Sequence, residues 1–144
     1  IDPRNAFIMY DLLKEVIKNG TARKAKTLKR PDIAGKTGTT NDLMDAWFAG
    51  FNSDIVTVTW MGYDQPKSLG NKETGSRAAL PIWIDYMRPL LKDYPIKNLV
   101  KPEGIIPYKI NKKTGMTNNA DENGFYEYFY EEYPPFDNSY FVIN

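Results

Sequence analysis

The run Ile33-Ala34-Gly35-Lys36-Thr37-Gly38-Thr39-Thr40, closely followed by Asp45-Ala46-Trp47-Phe48-Ala49-Gly50-Phe51, constrains this chain more than any other stretch. The first run reads as a strand. Strand side chains alternate between faces, so Thr37 and Thr39 share one side while Lys36 and Gly38 share the other. Two hydroxyls in a row with a cation behind them make a surface that can recognise an anion. Gly38 leaves no side chain on the lysine's face, which lets a backbone or a ligand come close there. In the second run Trp47, Ala49 and Phe51 alternate with Ala46, Phe48 and Gly50, so both faces are apolar and a central strand is expected. Asn52-Ser53-Asp54 has turn composition, and Ile55 to Met61 is β-branched and strand-like, which predicts a hairpin. An antiparallel sheet follows, with the Lys-Thr-Gly strand paired on one side and open on the other. A peptide can lie along such an edge as an added strand.

Gly35-Lys36-Thr37 also ends the phosphate-binding P-loop signature, which places another glycine five positions earlier. That position is Arg30. Pro31 then stiffens the chain where a P-loop needs a flexible turn, and no helix pattern follows Thr37. The P-loop reading fails on all three counts.

Composition excludes several other chemistries. The 144 residues carry 19 basic and 18 acidic side chains, so no global field draws the chain to nucleic acid. There is no cysteine and no histidine, so thiolate chemistry is out and acid–base work falls to lysine, carboxylates or tyrosine. No apolar run approaches the roughly 20 residues of a membrane span, and the N-terminus lacks the basic-then-apolar layout of a signal peptide. No membrane contact is expected from this segment, and any export signal is expected outside it.

Around the central strands the pattern is helical. Asp2-Pro3 is a good helix start, and Ala6, Met9, Tyr10, Leu13, Val16 and Ile17 recur at helical spacing through about Lys18. Asn19-Gly20 should end that helix, with glycine in a left-handed cap. Arg23 to Arg30 reads as a basic, solvated loop able to steer an acidic ligand. Asp64 to Gly75 reads as a polar loop. From Ser76 a second helix is expected, with Leu80, Trp83, Ile84, Met87, Leu90 and Leu91 on one face, Pro81 in its first turn and Pro89 disturbing its end. Beyond Lys92, prolines at 95, 102 and 107 precede extended segments with one turn at Ile110 to Gly115. Aromatics then crowd among acids from Phe125 to Phe141, as a binding platform or as a tail folded over its own domain. Residues 1–92 and 93–144 are thus expected to differ in character, the second being a Pro- and aromatic-rich extension.

Lys-Thr-Gly is one of three motifs shared by penicillin-binding proteins and serine β-lactamases. The longer runs Asp32 to Asp42 and Asp45 to Phe51, with Pro3-Arg4-Asn5-Ala6 upstream, closely resemble the transpeptidase domain of class A penicillin-binding proteins, of the penicillin-binding protein 1A type. The resemblance covers residues 1–92 and, more loosely, the tail through Pro135. It implies an α+β fold: the C-terminal portion of the penicillin-binding/serine β-lactamase-like transpeptidase fold, an antiparallel sheet packed against helices. It implies a fragment, whose natural partner is the upstream half of the same domain. It implies serine acyl transfer without cofactor or metal, acting at the periplasmic face of the bacterial inner membrane on peptidoglycan stem peptides that end in D-Ala-D-Ala, and trapped by β-lactam antibiotics. By motif, Lys36 would position the serine of a Ser-x-Asn motif and favour the substrate carboxylate. Thr37 and Thr39 would hydrogen-bond that carboxylate beside Gly38, and the Thr39 N–H would be half of the oxyanion hole.

The chain departs from the family pattern in one large respect. Ser53, Ser68, Ser76 and Ser139 are its serines, and none has lysine three residues later. Ser-x-Asn is missing too, so this segment alone is expected to be inactive. A β-lactamase fits Thr40-Asn41-Asp42 and Asp45-Ala46-Trp47-Phe48 less well. The alternative of a different class is a non-catalytic module that binds a peptide or partner through the strand edge and the aromatic tail.

Overall fold

The computed structural model describes residues 1–117 and 124–135. They form two compact units: Met9–Leu99, and Ile1–Ile8 together with the described residues from Val100 onward. The fold is α+β, with antiparallel sheets and helices.

In the larger unit, β1 (Ala34–Thr39), β2 (Ala46–Phe51) and β3 (Val56–Met61) form an antiparallel meander in the order β1-β2-β3. β2 is central, as its apolar residues require, and β1 is an edge among the described residues. The hairpin turn is built by Asn52, whose N–H donates to Ile55 O at 3.0 Å while its side-chain oxygen accepts the N–H groups of Asp54 and Ile55. Burial of β2, however, alternates: Ala46, Phe48 and Gly50 are buried while Trp47 and Ala49 are exposed. One helix covers the face of Phe48 and Gly50, while at one end of the opposite face Phe51 meets Tyr10 with ring centroids 6.0 Å apart. Further along that opposite face Trp47 and Trp60 pair with ring centroids 6.1 Å apart, and the Trp60 indole N–H donates to Asp45 Oδ1 at 2.8 Å.

The covering helix is α2 (Leu80–Leu90). It begins later than the sequence pattern suggests, because Gly75–Ala79 winds as a wider, π-type turn and the α-helix proper opens with Pro81 in its first turn. Leu80, Trp83, Ile84, Met87 and Leu91 are buried, and Pro89 sits in the last turn. Trp83 stands edge-on to Phe48 at 4.9 Å, a favoured aromatic geometry, and its indole N–H donates to Thr57 O at 3.1 Å. Ile17, Ala22, Ala25 and Ile33 complete this core.

α1 (Pro3–Lys18) is capped by Asp2, whose carboxylate accepts the Arg4 N–H at 2.7 Å. Its buried face is rotated from the expected one: Phe7, Tyr10 and Ile17 are buried, whereas Ala6 and Met9 are exposed. The bulky aromatics at 7 and 10 claim the interior and leave the small and flexible side chains outside. Gly20 does not adopt a left-handed conformation either. The Asn19 and Gly20 N–H groups both donate to Glu15 O, and a Cβ on Gly20 would lie 2.8 Å from the Val16 backbone. Glycine is needed there for closeness, not for its φ. The basic stretch is likewise ordered into a short 3₁₀ helix, Arg23–Leu28, pinned by buried Ala25.

In the smaller unit, β4 (Ile105–Ile110) and β5 (Phe125–Tyr130) pair antiparallel. Tyr128 meets Phe7 edge-on at 5.0 Å, Arg4 bonds Glu132 at 2.7 Å, and the Arg4 guanidinium lies 4.9 Å from the Tyr130 ring centre. The described part of the aromatic tail therefore folds against the first turns of α1. Phe136, Asp137, Tyr140 and Phe141 lie outside the described residues. Among the described residues no helix is long and apolar enough to cross a membrane.

Candidate active site

The entry to β1 is fixed by a buried ion pair. Asp32 is fully buried and receives Arg30 in a two-point grip, Nε to Oδ1 at 2.7 Å and Nη2 to Oδ2 at 2.6 Å. Arg30 also donates to the carbonyls of Leu91, Tyr94 and Pro95, and the Lys97 N–H reaches Asp32 Oδ2 at 3.3 Å. The pair thus fastens the chain after α2 to the chain before β1. Burial by itself raises the Asp32 carboxyl, but the Arg30 and Lys97 hydrogen bonds outweigh it and hold the group below its ordinary value. The Tyr10 hydroxyl donates to Asp32 O at 2.8 Å, and burial, then the Asp32 charge, pushes Tyr10 up to about 12.

From this anchor the strand presents its side chains in register with β2 and β3. Thr37 aligns with Phe48 and Thr59, and Thr39 with Ala46 and Met61, so both hydroxyls stand on the face that α2 covers. Lys36 aligns with Ala49 and Val58, and Gly38 with Trp47 and Trp60, on the opposite face. The Lys36 side chain is exposed, with Nζ donating to Thr37 O at 2.9 Å. The ammonium therefore curls alongside its own strand and sits one peptide from the first hydroxyl.

Two residues outside the strand complete the arrangement, and neither was evident from the sequence. Thr21 Oγ1 lies 2.7 Å from Thr37 Oγ1, brought there by the turn after α1. The Gly75 N–H donates to Thr39 Oγ1 at 3.0 Å. Gly75 is pressed against the strands so closely that a Cβ would lie 2.4 Å from the carbonyl oxygens of Gly38 and Trp47. That approach depends on the missing side chain of Gly75 itself; on the face of Gly38 the nearest neighbour a Cβ would meet is Trp47, at 3.2 Å. The signal available was a lone glycine at the end of a polar loop, and nothing in the spacing ties it to residue 38. The turn after β1 is closed by Thr40 and Asp45: the Thr40 N–H donates to Asp45 O at 3.1 Å, and the Asp45 N–H to Thr40 Oγ1 at 2.8 Å.

The basic stretch serves elsewhere. Lys26 and Lys29 line an open cleft of about 460 Å³ with Asp11, Lys14, Ile17 and Ile33, and none of Lys36, Thr37, Gly38 or Thr39 borders it. Arg30 is committed to Asp32. Among the described residues no group of three or more acidic side chains could hold a metal ion.

No family model matches the sequence. The chain is 50% identical over 136 residues to penicillin-binding protein 1A of Pseudomonas aeruginosa, covering 94% of this chain and 16% of that protein. It is 55% identical over 106 residues to penicillin-binding protein 1A of Neisseria gonorrhoeae, covering 74% of this chain and 13% of that one. The chain is homologous to a C-terminal part of the penicillin-binding protein 1A family. It superimposes on the crystal structure of penicillin-binding protein 1A from Haemophilus influenzae with a TM-score of 0.84 at 36% identity, over 92% of this chain and 21% of that one. It therefore spans about one eighth to one fifth of the proteins it matches, in a C-terminal part of them.

Proposed function

We propose that this chain supplies the carboxylate-binding wall of a penicillin-sensitive serine D,D-transpeptidase, within a larger peptidoglycan synthase at the periplasmic face of the inner membrane. Residues 1–92 would be the C-terminal part of the transpeptidase domain and 93–144 an extension of it. The observation that carries the reading is the set of an exposed lysine and two adjacent hydroxyls, Lys36, Thr37 and Thr39, on an edge strand of a chain homologous to this family.

In this reading the terminal carboxylate of a D-Ala-D-Ala stem peptide, or the carboxylate of a β-lactam, accepts the Thr37 and Thr39 O–H groups. Lys36 supplies the compensating charge, and Gly38 keeps its face free of side chain. A serine from the upstream part of the domain attacks the peptide or lactam carbonyl. The Thr39 N–H is one of the two donors to the oxyanion, a contact whose loss typically lowers the rate about 10²- to 10³-fold. The leaving D-Ala departs, and an amine of a neighbouring stem peptide takes the acyl group. A β-lactam keeps its leaving group tethered, so the acyl-enzyme persists. No step calls for a metal or cofactor.

The test is covalent labelling of the full-length protein by a fluorescent penicillin, wild type against Thr37→Val/Thr39→Val. Strong labelling of wild type with loss in the folded variant is the expected result; equal labelling would falsify the assignment of this strand. An unlabelled wild type would favour a non-catalytic peptide-binding module, the reading to which the open β1 edge also lends itself.

A further inference from the structure

We infer that Thr21, seated outside the Lys-Thr-Gly strand, is a positioning residue that turns the Thr37 hydroxyl proton toward the anion, and that the Gly75 N–H does the same for Thr39. The inference rests on the reading of the strand as a carboxylate site.

A hydroxyl has one proton to give and two lone pairs to receive with. At Thr39 the direction is fixed, because a backbone N–H can only donate: the Gly75 N–H occupies a lone pair of Oγ1 at 3.0 Å, and the Thr39 proton must point to some other acceptor. At Thr37 the partner is another hydroxyl, Thr21 Oγ1 at 2.7 Å, and either oxygen can be the donor. An ionised carboxylate only accepts. When one binds at Thr37 it takes the Thr37 proton, and the pair can survive only with Thr21 as donor. The chain then runs Thr21 O–H to Thr37 Oγ1, and Thr37 O–H to carboxylate, each bond polarising the next. Both strand hydroxyls are thereby backed by a donor from a separate loop and offer their protons forward.

The Thr21 hydroxyl has little else to do. Its side chain is exposed, while the neighbouring Ala22 is fully buried and makes the packing contact of this turn. Its hydrogen bond spans 16 residues in sequence to reach Thr37.

The test uses full-length protein and two forms of one penicillin, the free acid and its carboxylate methyl ester, comparing second-order acylation rates. The acid-to-ester ratio is read within each variant, so it does not depend on how much protein is correctly folded. Thr21→Val is expected to reduce the ratio about 3- to 10-fold, the loss of one neutral hydrogen bond behind the contact. Thr21→Ser should restore it, and Thr21→Val should add nothing to Thr37→Val. A Thr21→Val ratio equal to wild type, with Thr37→Val still reduced, overturns the inference alone. An equal loss on acid and ester, without rescue by serine, shows a purely structural role and also overturns it. If Thr37→Val leaves the ratio unchanged, the carboxylate reading falls and the inference with it.

Discussion

The tripeptide Lys-Thr-Gly occurs twice in this chain, as Lys36-Thr37-Gly38 and as Lys113-Thr114-Gly115, and the two copies adopt different structures. The first is a strand, paired residue for residue with β2. The second is a turn after β4: Asn111 Oδ1 accepts the N–H groups of Lys113 and Thr114 at 2.8 and 3.1 Å, the Gly115 N–H returns to Asn111 O at 2.9 Å, and Gly115 has φ +70°. An asparagine two residues ahead of the lysine captures the backbone in one copy. In the other, an Asp-anchored apolar lead-in, Ile33-Ala34-Gly35, feeds it into a sheet. Three letters carry no site; a row of hydroxyls beside an ammonium exists only where flanking residues impose the strand.

The widest way to break that contrast is to remove the anchor of the first copy. Arg30→Ala leaves Asp32 buried without its charge partner, which costs about 3–5 kcal/mol when one member of a buried pair is lost. A fall in the melting temperature of the full-length protein, with loss of penicillin labelling, is the expected result; an unchanged melt would mean the pair is not what holds the strand entry. The pH dependence has a definite sign. In wild type the depressed Asp32 contributes stability that is complete above the ordinary carboxylate range, near 4, and is lost as the pH falls below it. In Arg30→Ala, burial acts with much less opposition, and protonation relieves the buried charge. The gap between the two melting curves should therefore narrow on acidification below about pH 4, and a constant gap would count against the pair.

Next in size is the contrast between the two lysines. Lys36→Ala removes a charged donor beside the proposed carboxylate site, worth about 1.5–3 kcal/mol, so penicillin acylation should slow about 10- to 100-fold. Lys113→Ala, in the turn, should leave it at the wild-type rate. Comparable losses from both, measured as labelling rates on the full-length protein, would erase the distinction between the copies.

How much of this was legible beforehand follows the range of the interactions involved. The strand, its edge position, the hairpin and the helix register of Trp83 and Met87 are local patterns of period two or near four, and the residues wrote them plainly. The rotated face of α1 was not legible, since Phe7 and Ala6 are adjacent and only the partner Tyr128, far along the chain, decides between them. By sequence Arg30 is one more member of a basic run, and what sets it apart is the burial of Asp32 beside it, which local composition does not encode. Thr21 and Gly75 sit 16 and 36 residues from the hydroxyls they address, and no local spacing encodes such contacts.

The finest contrast lies between the two glycines, which are required for opposite reasons. At Gly115 the reason is conformation: φ is +70°, and a Cβ there would meet nothing within 4 Å. Gly115→Ala should cost about 1 kcal/mol, while Gly115→Asn should cost roughly half of that or less, because asparagine tolerates the left-handed region better than alanine. At Gly38 the backbone is outside that region and the reason is space: a Cβ would lie 3.2 Å from Trp47 Cβ. There the order should invert, with Gly38→Asn more damaging than Gly38→Ala, since the larger side chain adds bulk and offers no conformational relief. Amide exchange in β4 and β5 reports the first pair of variants, and exchange in β1 and β2 the second. The same ranking of alanine and asparagine at both positions would mean that one constraint governs both copies, and the contrast between turn and strand would lose its physical basis.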